Sequence, residues 1–225
     1  MKTFSAVALA LVIGGAGTAP GVSADETKAK EAFNAGVTAM QAGNTDEAIL
    51  NYQLAIQEDP TYAAPAMNLG AIYFEKKQYQ EAIGAFKTAT ERDPSLVEAW
   101  GNLGKTHALL KQYAEATVAF QKATELAPDN AGYSIELGKV LIQQKRAADA
   151  AASLEKAHKL GGGDYISWFY LGQAYEDQNK TTDAIAAYEK SISLKEDFYN
   201  SHSSLGSIYL AQEKYDVAAT QFKRA

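Results

Sequence analysis

Ala66–Pro94 reads AMNLGAIYFEKKQYQEAIGAFKTATERDP, and thirty-four residues further on Trp100–Pro128 reads WGNLGKTHALLKQYAEATVAFQKATELAP. Asn, Leu, Gly, Ala, Phe, Ala and Pro return in step between the two stretches. Working outward from them with Ala29 as position one, units begin at Ala29, Ala63, Val97, Ala131, Tyr165 and Tyr199, with no insertion or deletion. Position eight is always glycine (Gly36, Gly70, Gly104, Gly138, Gly172, Gly206), and position twenty is always alanine (Ala48, Ala82, Ala116, Ala150, Ala184, Ala218). Position seven is leucine in every unit but the first, where it is Ala35.

Inside each unit the apolar spacing is helical. Positions four, seven, eight and eleven share one face of a 3.6-residue spiral, and so do twenty, twenty-four and twenty-seven. This predicts two helices per unit, joined by polar links such as Ala42–Thr45 (AGNT) and Asp177–Lys180 (DQNK), which are short enough to force antiparallel neighbours. Pro60, Pro94 and Pro128 are expected to end the second helix of their units, and Gly161–Gly163 to do so in the fourth. The fixed small residues imply a close helix crossing, with glycine eight expected to face alanine twenty. One helix pair cannot bury its apolar face alone, so stacked units must supply the missing wall.

The pattern resembles the tetratricopeptide repeat family, which has the same period and the same Trp, Leu, Gly, Tyr, Ala, Phe, Ala, Pro order. The third unit carries Trp100, Leu103, Gly104, Ala116, Phe120, Ala123 and Pro128, with His107 where Tyr is usual. The second carries Leu69, Gly70, Tyr73, Ala82, Phe86, Ala89 and Pro94, and the fifth Trp168, Leu171, Gly172, Tyr175, Ala184 and Tyr188. The resemblance implies an all-α fold, a right-handed superhelical α-solenoid of helix-turn-helix repeats. Its repeats would be 29–62, 63–96, 97–130, 131–164, 165–198 and an incomplete 199–225, within a domain spanning 25–225.

Composition limits the partners. The chain has 225 residues, is 47% hydrophobic and 21% charged, and carries a net charge of −6, so it reads as ordered and has no long-range attraction for phosphate backbones. No nucleic-acid partner is expected. Met1–Lys2, the apolar run Phe4–Ile13 and the small residues Val22–Ala24 read as a secretory signal peptide over 1–24, cleaved after Ala24. The apolar run is well short of the ~20 residues that span a bilayer, so no membrane span is expected in the mature form. With no cysteine there is no disulfide, thiolate metal site or acylated lipoprotein cysteine. A periplasmic or secreted protein is expected.

In the family, first helices line a concave side and their positions two, five, six, nine, twelve and thirteen face a ligand. Position six here is Asn34, Asn68 and Asn102, then Glu136, Tyr170 and Ser204. A carboxamide offers a donor and an acceptor, so a row of them suits the backbone of an extended peptide. The row resembles the asparagine ladder of the O-linked N-acetylglucosamine transferases. The other reading is that these asparagines are solvated or bonded to a neighbouring helix. Beside them, Phe33, Val37, Met40, Met67, Ala71 and Phe74 are expected to form an apolar groove wall, or alternatively to pack against a neighbouring helix. From the third unit the row turns polar, with Lys105 and Lys139 as candidates for meeting a carboxylate, and with Gln173, Glu176 and Asp177 read as a solvated face. The family's dicarboxylate clamp is not spelled by any three consecutive units.

No catalytic spacing is found. His107, His158 and His202 fall at packing positions, and Gly161–Tyr165 (GGGDY) lacks the Lys and Ser/Thr of a phosphate loop. No cofactor or metal is expected. The first unit, with Ala32 and Ala39 behind a polar Asp25–Lys30, reads as a cap, and Val217 and Phe222 are expected near an open edge at which another copy or a partner could dock. The functional expectation is a non-catalytic scaffold binding an extended segment of another protein. The alternatives are an assembly element working through its edges, or the recognition arm of a longer protein.

Overall fold

The computed structural model describes residues 24–225, and the signal-peptide reading of 1–24 therefore lies outside the described residues except for Ala24. Twelve helices are present among them: α1 (Ala24–Gln41), α2 (Thr45–Glu58), α3 (Ala63–Glu75), α4 (Tyr79–Arg92), α5 (Val97–Leu109), α6 (Tyr113–Leu126), α7 (Ala131–Gln143), α8 (Ala147–Lys159), α9 (Tyr165–Asp177), α10 (Thr181–Leu194), α11 (Tyr199–Ala211) and α12 (Tyr215–Arg224). The fold is an all-α solenoid of helix-turn-helix repeats. It divides into two compact units, one ending at Leu110 and the other starting at Lys111.

In the first unit α1 packs on α2, α2 on α3, α3 on α4 and α4 on α5, and the first helices α3 and α5 also touch. In the second unit the same chain-neighbour packing runs from α6 to α12, with α7 also touching α9. Each element thus meets only its near neighbours, as a repeat array requires.

The link after each first helix has one geometry. Position fifteen is left-handed, with φ of 80° at Gly43, 59° at Lys77, 58° at Lys111 and Lys145, 59° at Asn179 and 60° at Glu213. The next amide then reaches back to the helix in a 6→1 closure: Asn44 to the Ala39 carbonyl at 2.8 Å, Gln78 to Tyr73 at 2.8 Å, Arg146 to Leu141 at 3.0 Å and Lys180 to Tyr175 at 2.9 Å. Only the first repeat uses glycine, the residue best suited to that backbone. The links between units rely on side chains instead. Asp59 Oδ1 accepts from the Thr61 amide at 2.8 Å and its hydroxyl at 2.6 Å, and Asp93 does the same for Ser95 at 2.9 and 2.6 Å. After α8 the work passes to glycine: Gly161 has φ 76°, and the Gly162 amide donates to the Ala157 carbonyl at 3.0 Å.

The close crossing exists, and alanine twenty is not the group nearest to glycine eight. The group that meets glycine eight is the side chain at position twenty-four. A Cβ on Gly36 would lie 2.6 Å from Tyr52 Cε1, on Gly70 2.6 Å from Phe86 Cδ1, and on Gly172 2.5 Å from Tyr188 Cε1. The glycine leaves space for the side chain at position twenty-four to lie against the helix backbone. Tyr52, Tyr188 and Phe86 are accordingly among the largest fully buried side chains.

Candidate functional site

The candidate residues of the first unit stand on α1, α3 and α5. Their surroundings divide them. Asn34 on α1 is exposed, and its carbonyl accepts from the Thr38 hydroxyl at 2.9 Å while its carboxamide makes no side-chain bond among the described residues. Asn102 on α5 is half-buried, and its carbonyl accepts from the buried Thr106 hydroxyl at 2.6 Å. Asn68 on α3 is different: its side chain is buried and Nδ2 donates to the Tyr52 hydroxyl at 3.3 Å. Burial raises the Tyr52 phenol pKa, and the hydrogen bond from Asn68 opposes that shift.

The apolar candidates divide in the same way. Phe33 and Met67, expected on an open wall, are core residues, with 1% and 5% exposure. Phe33 lies between Tyr52 and Tyr62, at ring-centroid distances of 5.7 and 5.2 Å, because the small Ala32 and Ala39 leave the core of the first repeat to be filled by rings. Val37 and Met40 are half-buried against that cluster. Phe74 is half-buried and meets the edge of Tyr79 at 5.7 Å. The side of the face that remains open to a ligand is therefore Asn34, Val37, Met40, Ala71, Phe74 and Asn102, with Lys105 exposed beside them.

In the second unit, Lys139 on α7 pairs with Glu136 one turn earlier at 2.8 Å, which spends its charge locally. Glu176 on α9 is exposed, yet it accepts from the Tyr188 hydroxyl at 2.8 Å. Burial, and then that bond, push the Tyr188 phenol far above its ordinary value. Tyr175 reaches Glu155 at 2.8 Å, and its pKa is raised to about 12, chiefly by burial. Sequence reasoning missed these tyrosine contacts. A tyrosine at position twenty-four followed by a polar residue at position six of the next repeat was the available signal for Tyr52 with Asn68, and the Tyr188 and Tyr175 contacts with Glu176 and Glu155 follow no such spacing.

Of the histidines, His202 is buried with both ring nitrogens engaged, Nδ1 against Gln221 Oε1 at 2.7 Å and Nε2 against the Glu196 carbonyl at 2.8 Å. It ties α11 to α12 and to the preceding turn. Among the described residues no group of three or more His, Cys, Asp or Glu side chains is placed to hold a metal. None of the described helices is long and apolar enough to cross a membrane.

Comparison with known proteins places this arrangement. Residues 8–225 match the family model described as the cilia and flagella-associated protein 70 C-terminal domain. No curated protein sequence matches the chain. Among solved structures, the fold is similar to that of the MamA protein, with 23% identity, a TM-score of 0.68 and coverage of 76% of this chain and 93% of the other. It is also similar to YrrB, described as a TPR protein with an unusual peptide-binding site, with 21% identity, a TM-score of 0.69 and coverage of 77% and 89%. PilF of Pseudomonas aeruginosa is a third, with 20% identity, a TM-score of 0.65 and coverage of 88% and 90%.

Proposed function

The chain belongs to the family of the cilia and flagella-associated protein 70 C-terminal domain, a tetratricopeptide-repeat family, and from that premise we propose that it is a non-catalytic scaffold. On this reading it holds an extended segment of another protein against the first helices of repeats one to three. The observation that carries the reading is the unspent hydrogen-bonding capacity of Asn34 and Asn102, on α1 and α5, beside the half-buried Val37, Met40 and Phe74. Each carboxamide supplies a donor and an acceptor to a peptide backbone, the apolar groups take side chains, and Lys105 offers charge at one end. Asn68 supports the face from within instead of touching the ligand. YrrB, whose described peptide-binding site is built on the same fold, supports the class of ligand.

The test is capture of partner peptides by the full chain after substitution. Asn34→Ala together with Asn102→Ala is expected to weaken binding about fivefold or more, for loss of two to four hydrogen bonds to the backbone at about 0.5–1.5 kcal/mol each. Unchanged affinity would reject the reading. The exposure of Tyr215, Val217 and Phe222 (63%, 42% and 42%) favours a second reading, association of copies through α12. Sedimentation that gives a monomer at every concentration would remove that alternative. Export follows from the sequence reading of 1–24 and is part of the proposal; N-terminal sequencing of the protein from its native compartment should begin at Asp25.

A further inference from the structure

Between α8, α9 and α10, wholly within the second unit, lies a cleft of about 420 Å³. Its floor is Trp168, Leu171 and the small side chains Ala186 and Ala187. The His158 imidazole lies flat on the Trp168 indole, with centroids 3.8 Å apart and planes 17° from parallel. No other pair of adjacent repeats can build this stack: the matching residues are Ile56 with Ala66, Thr90 with Trp100, Thr124 with Ser134 and Ile192 with His202. The Gly161–Gly163 turn is part of the construction. Gly163 has φ 139°, and a Cβ there would lie 2.6 Å from His158 Cδ2.

The hydrogen bonds set the ring's tautomer. The Ser167 hydroxyl donates to the Asp164 carbonyl at 2.8 Å, so at 3.1 Å it accepts from His158 Nε2–H. Nδ1 is then a lone-pair acceptor, buried and without a hydrogen-bond partner among the described residues. Charge is sorted along the cleft. Glu155, bound to the Tyr175 hydroxyl, and Asp183 mark one end, while Lys159 and Lys190 lie four residues further along α8 and seven along α10. By helical rise those separations are about 6 and 10 Å. No ion pair among the described residues engages Asp183, Lys159 or Lys190.

We infer that this cleft is a docking site for a short segment of a partner protein in which a basic and an acidic residue flank an aromatic or aliphatic one. The cation meets Glu155 and Asp183, the apolar side chain lies on the Trp168 floor, and the carboxylate meets Lys159 and Lys190. An extended chain advances about 3.3 Å per residue, so charges two to three residues apart match the cleft. This cleft uses none of the residues assigned above to the face on α1, α3 and α5.

The experiment uses the full chain with Trp100→Phe, which leaves Trp168 as the sole indole reporter. Capped pentapeptides Gly-Arg-Phe-Glu-Gly, Gly-Arg-Phe-Arg-Gly and Gly-Glu-Phe-Glu-Gly are titrated against its emission, and calorimetry on the unsubstituted chain repeats the measurement should that variant fold poorly. The mixed-charge peptide is expected to bind about fivefold or more tightly than either like-charged one, as a partly exposed pair of ions allows. Lys190→Glu, which leaves Lys159 to offset the new carboxylate, should abolish the preference for the mixed-charge peptide over the doubly basic one. Equal affinities, a preference unmoved by Lys190→Glu, no response to any peptide, or free phenylalanine binding as tightly as the peptide would each overturn the inference.

Discussion

Tyr52 in the first unit and Tyr188 in the second occupy the same repeat position, lie over the same kind of glycine, and spend their hydroxyls differently. Tyr52 takes its bond from Asn68 of the following repeat, at 3.3 Å and out of solvent. Tyr188 donates at 2.8 Å to Glu176 of its own repeat, and Ser204 of the following one opposes the rise in its phenol pKa. In both, position six of one repeat serves the phenol of the repeat before it. Where position twenty-four is Phe86 there is no phenol to serve, and Asn102 keeps its carboxamide for something else. The three asparagines are thus one motif in sequence with two kinds of surroundings: Asn68 is tied to Tyr52, while Asn34 and Asn102 are left for the ligand role proposed above.

The largest expected effect tests the shared part of that comparison. Gly36→Ala and Gly172→Ala drive a methyl into a ring whose hydroxyl is already pinned, so neither ring can turn away, and each should cost about 2–3 kcal/mol. Gly206→Ala meets Phe222, which is 42% exposed and can swing outward, so its cost should be about 1 kcal/mol or less. Urea denaturation of the three variants decides it. Equal losses would mean the rings are not what fixes glycine at position eight.

The next effect separates the two phenols. Asn68→Ala leaves the buried Tyr52 hydroxyl unsatisfied and should cost about 1–2 kcal/mol, whereas adding Tyr52→Phe should recover part of that loss. Ser204→Ala leaves Glu176 in place and should cost about 0.5 kcal/mol. A double-mutant cycle on Asn68 and Tyr52 that gives no coupling energy would return Asn68 to the list of ligand contacts.

The repeat register was legible because position eight, position twenty and the helical spacing are local and recur; helices α3, α5, α7, α9 and α11 start at Ala63, Val97, Ala131, Tyr165 and Tyr199. Which neighbour a residue meets was less legible. Glycine was paired with alanine, and the side chain at position twenty-four that lies nearest to it was not foreseen. Phe33 and Met67 were placed on an open wall because a periodic pattern gives a residue's face and not its depth. The depth of Phe33 depends on Tyr52 and Tyr62, which are nineteen and twenty-nine residues away along the chain. The cleft at His158 and Trp168 departs from the repeat average at several positions at once, and consensus reading discards such departures.

A smaller effect lies in the links, where Gly43 and Lys77 have the same backbone with different side chains. The left-handed conformation costs a non-glycine residue about 1–2 kcal/mol, and glycine returns part of that gain as chain entropy on folding. Lys77→Gly should therefore stabilise by about 0.5–1 kcal/mol and Gly43→Ala destabilise by a similar amount, read from the midpoint of thermal unfolding.

The smallest effect is the response to acid, and it should separate the two units by pH. In the second unit, burial lowers the His158 pKa, with Asp164 and Glu155 opposing. Its folded form resists protonation, so stability present above the ordinary histidine value of about 6.5 is lost as pH falls through that value toward the folded one. In the first unit, Asp59 is lowered chiefly by the Thr61 hydroxyl bond, with the Thr61 amide and Arg92 adding to it. What Asp59 contributes is intact above about pH 4 and lost only as pH falls through its depressed value. Both groups are partly solvated, which keeps the losses small. Hydrogen exchange followed from pH 7 to pH 3 should then show amides of α8 and the start of α9 opening first, near pH 6, and the turn at Asp59 opening only below pH 4. His158→Phe should abolish the first step and leave the second, because the ring stack on Trp168 survives without a proton site; a first step that persists in that variant would place the acid-sensitive group elsewhere.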